Sequence, residues 1–270
     1  MAFKMKYTIE KDYLPVNTKR RSGIAMPYVG FITSHDTGND GSTAEGNITY
    51  YKRSANDMSA SAHTFIDDRR IIECIPATTG RPEKAWHVLY DRPEDNRLFG
   101  DDANDIAIGV ELCYSNKKGN INNKEAYKRY VWYIAYLCYK FGLDPRRHIV
   151  GHEELDPGRK LDPFKNALKL LGINKAQFIQ DVVNELADCT RADTVAPKTT
   201  ESEGDEPVKL AQWEKDLLIE GVKKYNKITG VDGNPVINSP DYWLTKINND
   251  TITAGEIAIL NFAILSRTVK

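Results

Sequence analysis

The chain has 270 residues and is 41% hydrophobic, so it can form one large or two modest domains with a substantial core. Its 37 Lys and Arg nearly match its 38 Asp and Glu, and a net charge of −1 gives no general attraction to nucleic acid or acidic membranes. No apolar run approaches the roughly 20 residues of a membrane span, and the first residues lack the apolar core of a signal peptide. We therefore expect no nucleic-acid partner, no membrane insertion, and synthesis in the cytoplasm.

Strand patterns dominate the first part of the chain. Residues 28–35 form an apolar run that predicts a strand. Residues 62–66 and 71–75 predict a hairpin joined by the polar turn at 67–70. The mostly apolar run at 106–113 is typical of a central strand that is covered on both faces. These segments predict a central sheet.

Helical patterns separate and follow these strands. The clearest is residues 124–141, where apolar residues recur at spacings of three and four before Gly142 ends the pattern. Residues 148–152 are short and extended, and 164–171 and 175–187 are again helical. The alternation predicts a mixed α/β fold with a central sheet flanked by helices.

A change in composition divides the chain. Residues 190–208 carry five acidic and two basic residues and almost no apolar ones, which is typical of a flexible linker. Beyond it, residues 210–225 form a helical stripe, and residues 253–256 form a capping box before another apolar stripe. We therefore predict a domain at 1–189 and a small all-α domain at 209–270. The latter has no His or Cys, so it is a poor candidate for chemistry.

The best candidate site combines a loop with a strand end. His152 and Asp162 flank a loop rich in Gly and Pro, and both residue types are zinc ligands. A catalytic zinc takes three protein ligands, and His35, at the end of the predicted strand, is the best third candidate. Asp162 has an alternative role as the N-cap of a helix, because Pro163 and a helical pattern follow it.

Several short motifs carry a family resemblance. They lie at 34–37, 61–63, 85–87, 108–112 and 151–163. Their order is that of the zinc-dependent N-acetylmuramoyl-L-alanine amidases of the type 2 family, which the chain resembles over roughly residues 25–165. The resemblance implies a zinc cleft at the strand ends, with one zinc ion held by His35, His152 and Asp162. It also implies cleavage of the amide between the lactyl group of muramic acid and L-alanine in peptidoglycan.

Two further residues are candidates for catalysis. Glu111 lies in an otherwise apolar strand, where a buried carboxylate is costly unless it is paired or used. A salt bridge is one interpretation, and a general base with a raised pKa is the other. The family motif that ends in Gly-Val-Glu-Leu favours the base. By the same resemblance, Lys160 stabilises the oxyanion that develops on the carbonyl.

His63, Trp86 and His87 also match family positions. We predict that all three bind substrate or line the cleft, although none is needed to complete the three ligands. A structural role remains open for each, since buried histidines and tryptophans commonly belong to a core.

The predicted organisation resembles that of endolysins from phages or prophages of Gram-positive bacteria. Such an enzyme is made in the host cytoplasm and acts on the wall after its release. We expect the C-terminal domain to bind a cell-wall polymer, with oligomerisation as an alternative role. Two other functions stay open: a non-catalytic peptidoglycan-binding protein, against which Asp162 argues, and a cytosolic amidase that recycles soluble anhydro-muropeptides.

Overall fold

The computed structural model describes residues 2–90, 92–117, 119–191, 207–230, 235–237, 239–258, 260 and 264. The chain divides into two compact units, Met1–Asp193 and Thr194–Lys270. Within the predicted linker at 190–208, residues 192–206 lie outside the described part of the chain. The mixed α/β class is confirmed by the first unit, and the described elements of the second are helical apart from isolated bridges.

A six-stranded sheet forms the centre of the first unit. Its strands are β1 (Ile9–Lys11), β2 (Phe31–Asp36), β3 (Thr64–Ile66), β4 (Ile71–Glu73), β5 (Ala107–Leu112) and β6 (Ile149–Gly151). They lie in the order β1-β4-β3-β5-β2-β6, with β3 and β4 as an antiparallel hairpin and the other neighbouring pairs parallel. Since parallel strands end at the same edge, the carboxyl ends of β2, β5 and β6 meet, and such an edge commonly forms a binding crevice.

Helices surround this sheet. They are α1 (Ala44–Arg53), α2 (Pro93–Phe99), α3 (Ala103–Ile106), α4 (Asn123–Phe141), α5 (His152–Leu155), α6 (Ala167–Leu170) and α7 (Lys175–Thr190). The predicted long helix is α4, which begins where the Asn122 side chain accepts a hydrogen bond from the backbone N–H of Glu125. It ends at Gly142, whose φ of +67° is in the left-handed region.

Both faces of the central strands β2 and β5 are buried, as the apolar run at 106–113 predicted. Neighbouring residues of one strand enter different cores: Ile32 joins the large cluster that contains α4, while Phe31 joins a smaller cluster on the other face. Ile108 and Ala107 divide in the same way. This is the result expected when side chains alternate along a covered strand.

The structure corrects three element boundaries. The strand predicted from residue 28 begins at Phe31, and His152 begins α5 rather than ending a strand. The helix predicted at 164–171 is limited to α6, because the carboxylate of Asp36 accepts the backbone N–H of Ala167 at 2.9 Å. A helix that began at Phe164 would bond this N–H to the carbonyl of Pro163. The Glu153 carboxylate accepts the backbone N–H groups of Phe164 at 2.9 Å and Lys165 at 3.2 Å and holds the turns before α6. The N-cap of α6 is Asn166, so Asp162 does not cap this helix.

The second unit has its own small core. Its helices α8 (Gln212–Asn226) and α9 (Pro240–Asn248) pack with the helical residues 254–258 around Val222 and Ile247. The predicted capping box is present: Glu256 N donates to Thr253 Oγ1 at 3.2 Å, and Thr253 N donates to Glu256 Oε2 at 3.0 Å. Among the described residues of both units, no helix is long and apolar enough to cross a bilayer.

Candidate active site

Three side chains converge at the carboxyl edge of the sheet. Because β2 and β6 pair with Ser34 opposite Gly151, His35 and His152 leave neighbouring strands at the same level. The Nδ1 atom of each histidine lies 3.1 Å from Oδ2 of Asp162. One potential ligand atom from each residue lies within 4.8 Å of the others. The sequence predicted this set of residues, and the fold brings them together.

Hydrogen bonds from α5 hold the loop that carries Asp162. Glu153 N donates to the backbone oxygen of Asp162 at 3.1 Å, in addition to the bonds that the Glu153 carboxylate accepts. Gly151 allows the loop to close, since a Cβ at this position would lie 2.7 Å from the ring of Phe164. Glu153 and Gly151 therefore position Asp162, although the sequence analysis assigned a role to neither.

Two consecutive hydrogen bonds fix the tautomer of His35. His87 Nε2 lies 3.1 Å from the backbone oxygen of Ala107, and since a carbonyl only accepts, this nitrogen carries the hydrogen. Burial, followed by the charges of neighbouring histidines, holds the pKa of His87 well below its usual value, so its Nδ1 is an acceptor. His35 Nε2 then donates to His87 Nδ1 at 3.1 Å. Burial also lowers the pKa of His35 to about 4, so its remaining Nδ1 carries only a lone pair.

That lone pair faces a carboxylate. Two acceptors, His35 Nδ1 and Asp162 Oδ2, thus lie 3.1 Å apart with no hydrogen between them, an arrangement that a cation relieves. Two atoms bound at about 2.0–2.1 Å to a tetrahedral zinc lie roughly 3.3 Å apart, which is close to the observed separation. The three side chains therefore fit a small divalent cation with nitrogen and oxygen ligands.

Glu111 lies beside this cluster on β5, directly opposite His35 in the strand register. Its Oε2 is buried and has no hydrogen-bond partner in the described part of the chain. Burial, followed by repulsion from Asp162 and Asp36, raises the pKa of Glu111 well above its usual value. The salt-bridge interpretation finds no support among the described ion pairs, and the carboxylate is available to accept a proton.

A cavity of about 470 Å³ joins these groups. Most of the predicted site residues line it, namely His35, Trp86, His87, Glu111, His152, Lys160 and Asp162. Trp86 is half-buried there, which fits the predicted wall of the cleft. Gly109 leaves room for His87, because a Cβ on this glycine would lie 2.8 Å from the imidazole ring.

His63 has a different position from the other candidates. It is buried and is not among the residues that line the cavity. Its Nδ1 accepts the backbone N–H of Gly109 at 3.0 Å, and its Nε2 lies 2.8 Å from the backbone oxygen of Glu83. With both ring nitrogens bonded to the backbone, the geometry favours the structural role over substrate contact.

Two positioning residues carried no assignment from the sequence. Tyr130 on α4 donates its hydroxyl hydrogen toward the backbone oxygen of His35 at 3.1 Å. Asp36 accepts hydrogen bonds from Ala167 N at 2.9 Å and from the side chain of Asn166 at 2.8 Å, so it fastens α6 to the end of β2. The sequence did carry a signal for Asp36, namely its position next to His35 in the motif at 34–37. Tyr130 was visible only as part of an apolar stripe.

A His-His-Asp cluster with two buried histidines in an open cleft is an arrangement that metal-dependent hydrolases use. The family model described as N-acetylmuramoyl-L-alanine amidase matches residues 25–165. This match covers more than half of the chain and coincides with the resemblance found in the sequence. The chain belongs to this family.

Relatives and solved structures agree with this assignment. N-acetylmuramoyl-L-alanine amidase BlyA of Bacillus subtilis strain 168 is 30% identical over 176 residues, which are 58% of this chain and 46% of the relative. CwlA of the same strain, with the same enzyme name, is 35% identical over 141 residues, 48% of this chain and 45% of the relative. The chain thus spans about half the length of these curated relatives. The catalytic domain of XlyA superposes with a TM-score of 0.51 at 25% identity, covering 65% of this chain and 99% of that domain.

Proposed function

We propose that the chain hydrolyses the amide that joins the lactyl group of N-acetylmuramic acid to L-alanine in peptidoglycan. One observation carries the proposal. In a chain of this family, two histidine Nδ1 atoms and Asp162 Oδ2 meet in the same cleft as the unpartnered carboxylate oxygen of Glu111. A cation site beside an unpartnered carboxylate can supply the Lewis acid and the general base that hydrolysis of an amide uses.

We propose zinc as the cofactor, with one ion held by His35, His152 and Asp162. The fit rests on the acceptor pair described above and on the ligand types, since imidazole and carboxylate are common zinc ligands. When bound, zinc supplies a Lewis acid that polarises a carbonyl and makes a water more acidic. Because the pKa of His35 is lowered to about 4, its imidazole is neutral and able to bind the metal at physiological pH.

The remaining chemistry belongs to side chains in the cleft. Glu111 accepts a proton from the attacking water and returns it to the leaving amine as the C–N bond breaks, so the products are a free lactyl carboxylate and a free N-terminal alanine. A raised pKa suits both transfers, because the group must take and then give a proton near neutral pH. Lys160 lines the same cavity, and its ammonium stabilises the negative charge that develops on the carbonyl oxygen.

We further propose that the C-terminal unit binds a cell-wall polymer. On α8, Trp213 and Leu217 are 67% and 63% exposed, and their spacing of four residues puts both on one face of the helix. An exposed aromatic next to an exposed aliphatic side chain is a common anchor at binding surfaces. Oligomerisation through the same face is the alternative role.

We propose that the protein acts as an endolysin of a phage or prophage of a Gram-positive host, made in the host cytoplasm and active on the wall after release. The resemblance of its motifs and its division into a family domain and a second compact unit support this role. A wall-binding unit raises the concentration of the catalytic unit at an insoluble substrate.

Mass spectrometry of digested, purified cell walls tests the activity. We expect free muramic acid carboxyl groups and free N-terminal alanine to appear together, and neither to appear with Asp162→Ala. A protein that binds walls but releases neither product would be a non-catalytic binding module. Cleavage of soluble anhydro-muropeptides without any effect on intact walls would instead identify a recycling amidase.

A further inference from the structure

A second cavity of about 440 Å³ adjoins the catalytic cleft. The two cavities share five lining residues, Ala60, Trp86, His87, His152 and Lys160. Beyond them, the second cavity is bordered by Leu89, Tyr90 and Arg159. Leu89 and Tyr90 are 45% and 57% exposed, so the cavity is an open extension of the cleft with an apolar wall. A substrate longer than the scissile amide has room to continue here.

The charged side chains that line this extension are basic. Arg159 and Lys160 both line it, and no Asp or Glu is among the described residues that do. Lys160 faces the catalytic cleft as well, whereas Arg159 lines only the extension. A positive lining beside an apolar wall suits a ligand that has an anionic group on an otherwise uncharged body.

A buried carboxylate holds Arg159 in place. Asp156 is fully buried, and its Oδ2 accepts the Nε hydrogen of Arg159 at 2.5 Å and pairs with Nη2. The Arg159 side chain is still 45% exposed, and its contacts with Asp156 use only Nε and Nη2. A guanidinium has five N–H donors in a planar fork, so one edge fixes the side chain and donors remain for a second anion.

The chemistry of the substrate identifies that anion. The lactyl carboxyl of muramic acid is consumed in the scissile amide, so the free carboxylates of an N-acetylmuramoyl peptide are on the stem peptide. The nearest one belongs to the second stem residue, a glutamate whose α-carboxyl is either free or amidated. Two extended residues span only about 7 Å, so this group lies near the reacting bond.

We propose that Arg159 binds this carboxylate, and that the extension is a subsite which prefers a free acid over an amide at the second stem residue. This inference rests on the proposed amidase function. A guanidinium donates hydrogen bonds but accepts none, so it binds a carboxylate well and a neutral amide only through the amide oxygen.

The test uses the full zinc-loaded chain and two soluble N-acetylmuramoyl-L-alanyl-D-glutamyl substrates whose γ-carboxyl is blocked as an N-methylamide, one with a free α-carboxyl (the acid) and the other with an α-carboxamide (the amide). We expect the parent to hydrolyse the acid with a kcat/KM at least about 10-fold higher, as for the gain of a charge-assisted hydrogen bond. Arg159→Gln should lose this preference through a higher KM for the acid, with a smaller rise in KM for the amide. Arg159→Lys keeps the pairing with Asp156 and should retain part of the preference.

Arg92→Gln is the matched control. Arg92 also approaches Asp156, at 3.5 Å, but is not among the residues that line the extension, so this variant should keep the parental preference. Thermal unfolding of each variant verifies that the fold is intact. Equal cleavage of both substrates by the parent, or an unchanged preference in Arg159→Gln, would overturn the subsite alone. A parent that cleaves neither substrate would overturn the amidase function together with the subsite.

Discussion

Glu111 and His35 are register partners on the neighbouring parallel strands β5 and β2. The backbone hydrogen bonds of the sheet therefore fix the proposed base beside a proposed metal ligand, with no dependence on a mobile loop. Catalytic groups placed on rigid elements keep the geometry that proton transfer requires. A single substitution of Glu111 can therefore test its role.

Glu111→Gln should abolish hydrolysis while preserving both the fold and zinc binding. The amide has nearly the shape of the carboxylate but cannot act as a base, and loss of general-base catalysis costs about 10²- to 10⁴-fold in rate. Product release from purified walls measures the activity, and metal analysis measures the zinc. Turnover equal to that of the parent would show that another group accepts the proton.

The same substitution should stabilise the metal-free protein at alkaline pH. Burial, then Asp162 and Asp36, raise the pKa of Glu111 in the folded state above the unfolded value of about 4.3, so its ionisation costs stability as the pH rises through the folded pKa. Glu111→Gln removes this cost. In the presence of a chelator, its Tm at pH 8 should exceed that of the parent by a few degrees, since about 1 kcal/mol shifts Tm by roughly 2–4 °C at this size.

At pH 4, just below the unfolded value, the parental carboxyl is mostly protonated in both states, so the difference in Tm should become small. Glu220→Gln, on the exposed surface of α8, is the control and should change Tm at neither pH. A lower Tm for Glu111→Gln at pH 8 would mean that the carboxylate makes a stabilising contact.

Single alanine substitutions of His35, His152 and Asp162 should each reduce zinc well below one ion per chain. Each removes one of the three atoms that converge within 4.8 Å, and the remaining two cannot complete a catalytic zinc site. His148→Ala alters a histidine outside this cluster and should leave the stoichiometry at one. Metal analysis after dialysis provides the measurement, and full occupancy in all three variants would refute the ligand assignment.

Lys160→Ala should lower kcat by about 10²- to 10³-fold, as for the removal of one oxyanion donor. The lysine lines the catalytic cavity, and its ammonium is proposed to stabilise charge that develops only in the transition state. Lys169→Ala, an exposed position on α6, is the charge-matched control and should be neutral. A rise in KM with an unchanged kcat would reassign Lys160 to substrate binding.

The two compact units should function separately. Each has its own apolar core in the described residues, and the composition of residues 190–208 predicts a tether that proteases cut first. Residues 1–189 alone should cleave solubilised muropeptides at a rate near that of the parent but lyse intact walls more slowly.

Residues 209–270 fused to a fluorescent protein should bind walls, and Trp213→Ala should weaken this binding. A fusion that stays in solution would contradict the wall-binding proposal. Conversion of an oligomer to an active monomer on truncation, measured by light scattering, would make the C-terminal unit an assembly element instead.

Much of the fold was predictable because local patterns encode it. The stripe of α4 depends on a periodicity of 3.6 residues, the hairpin of β3 and β4 on two strand segments around a polar turn, and the covered strand β5 on a nearly continuous apolar run. The order of the motifs likewise identified the family and brought His35, His152 and Asp162 together as candidates. These features were visible because residue types at fixed spacings carry them.

Other features were decided only by tertiary contacts. The Asp36 carboxylate accepts the backbone N–H of Ala167, which a helix at 164–171 would bond within itself, so a side chain 131 residues away shortens that helix. His63 and His87 match family motifs equally well, yet one is bonded to the backbone at both nitrogens and the other fixes the tautomer of His35. The cationic extension likewise depends on tertiary structure, because its lining combines Arg159 with Leu89 and Tyr90, which are distant in the chain. Sequence alone determined which groups are available, whereas the hydrogen-bond partners and burial that give each group its role arise between residues distant in the chain.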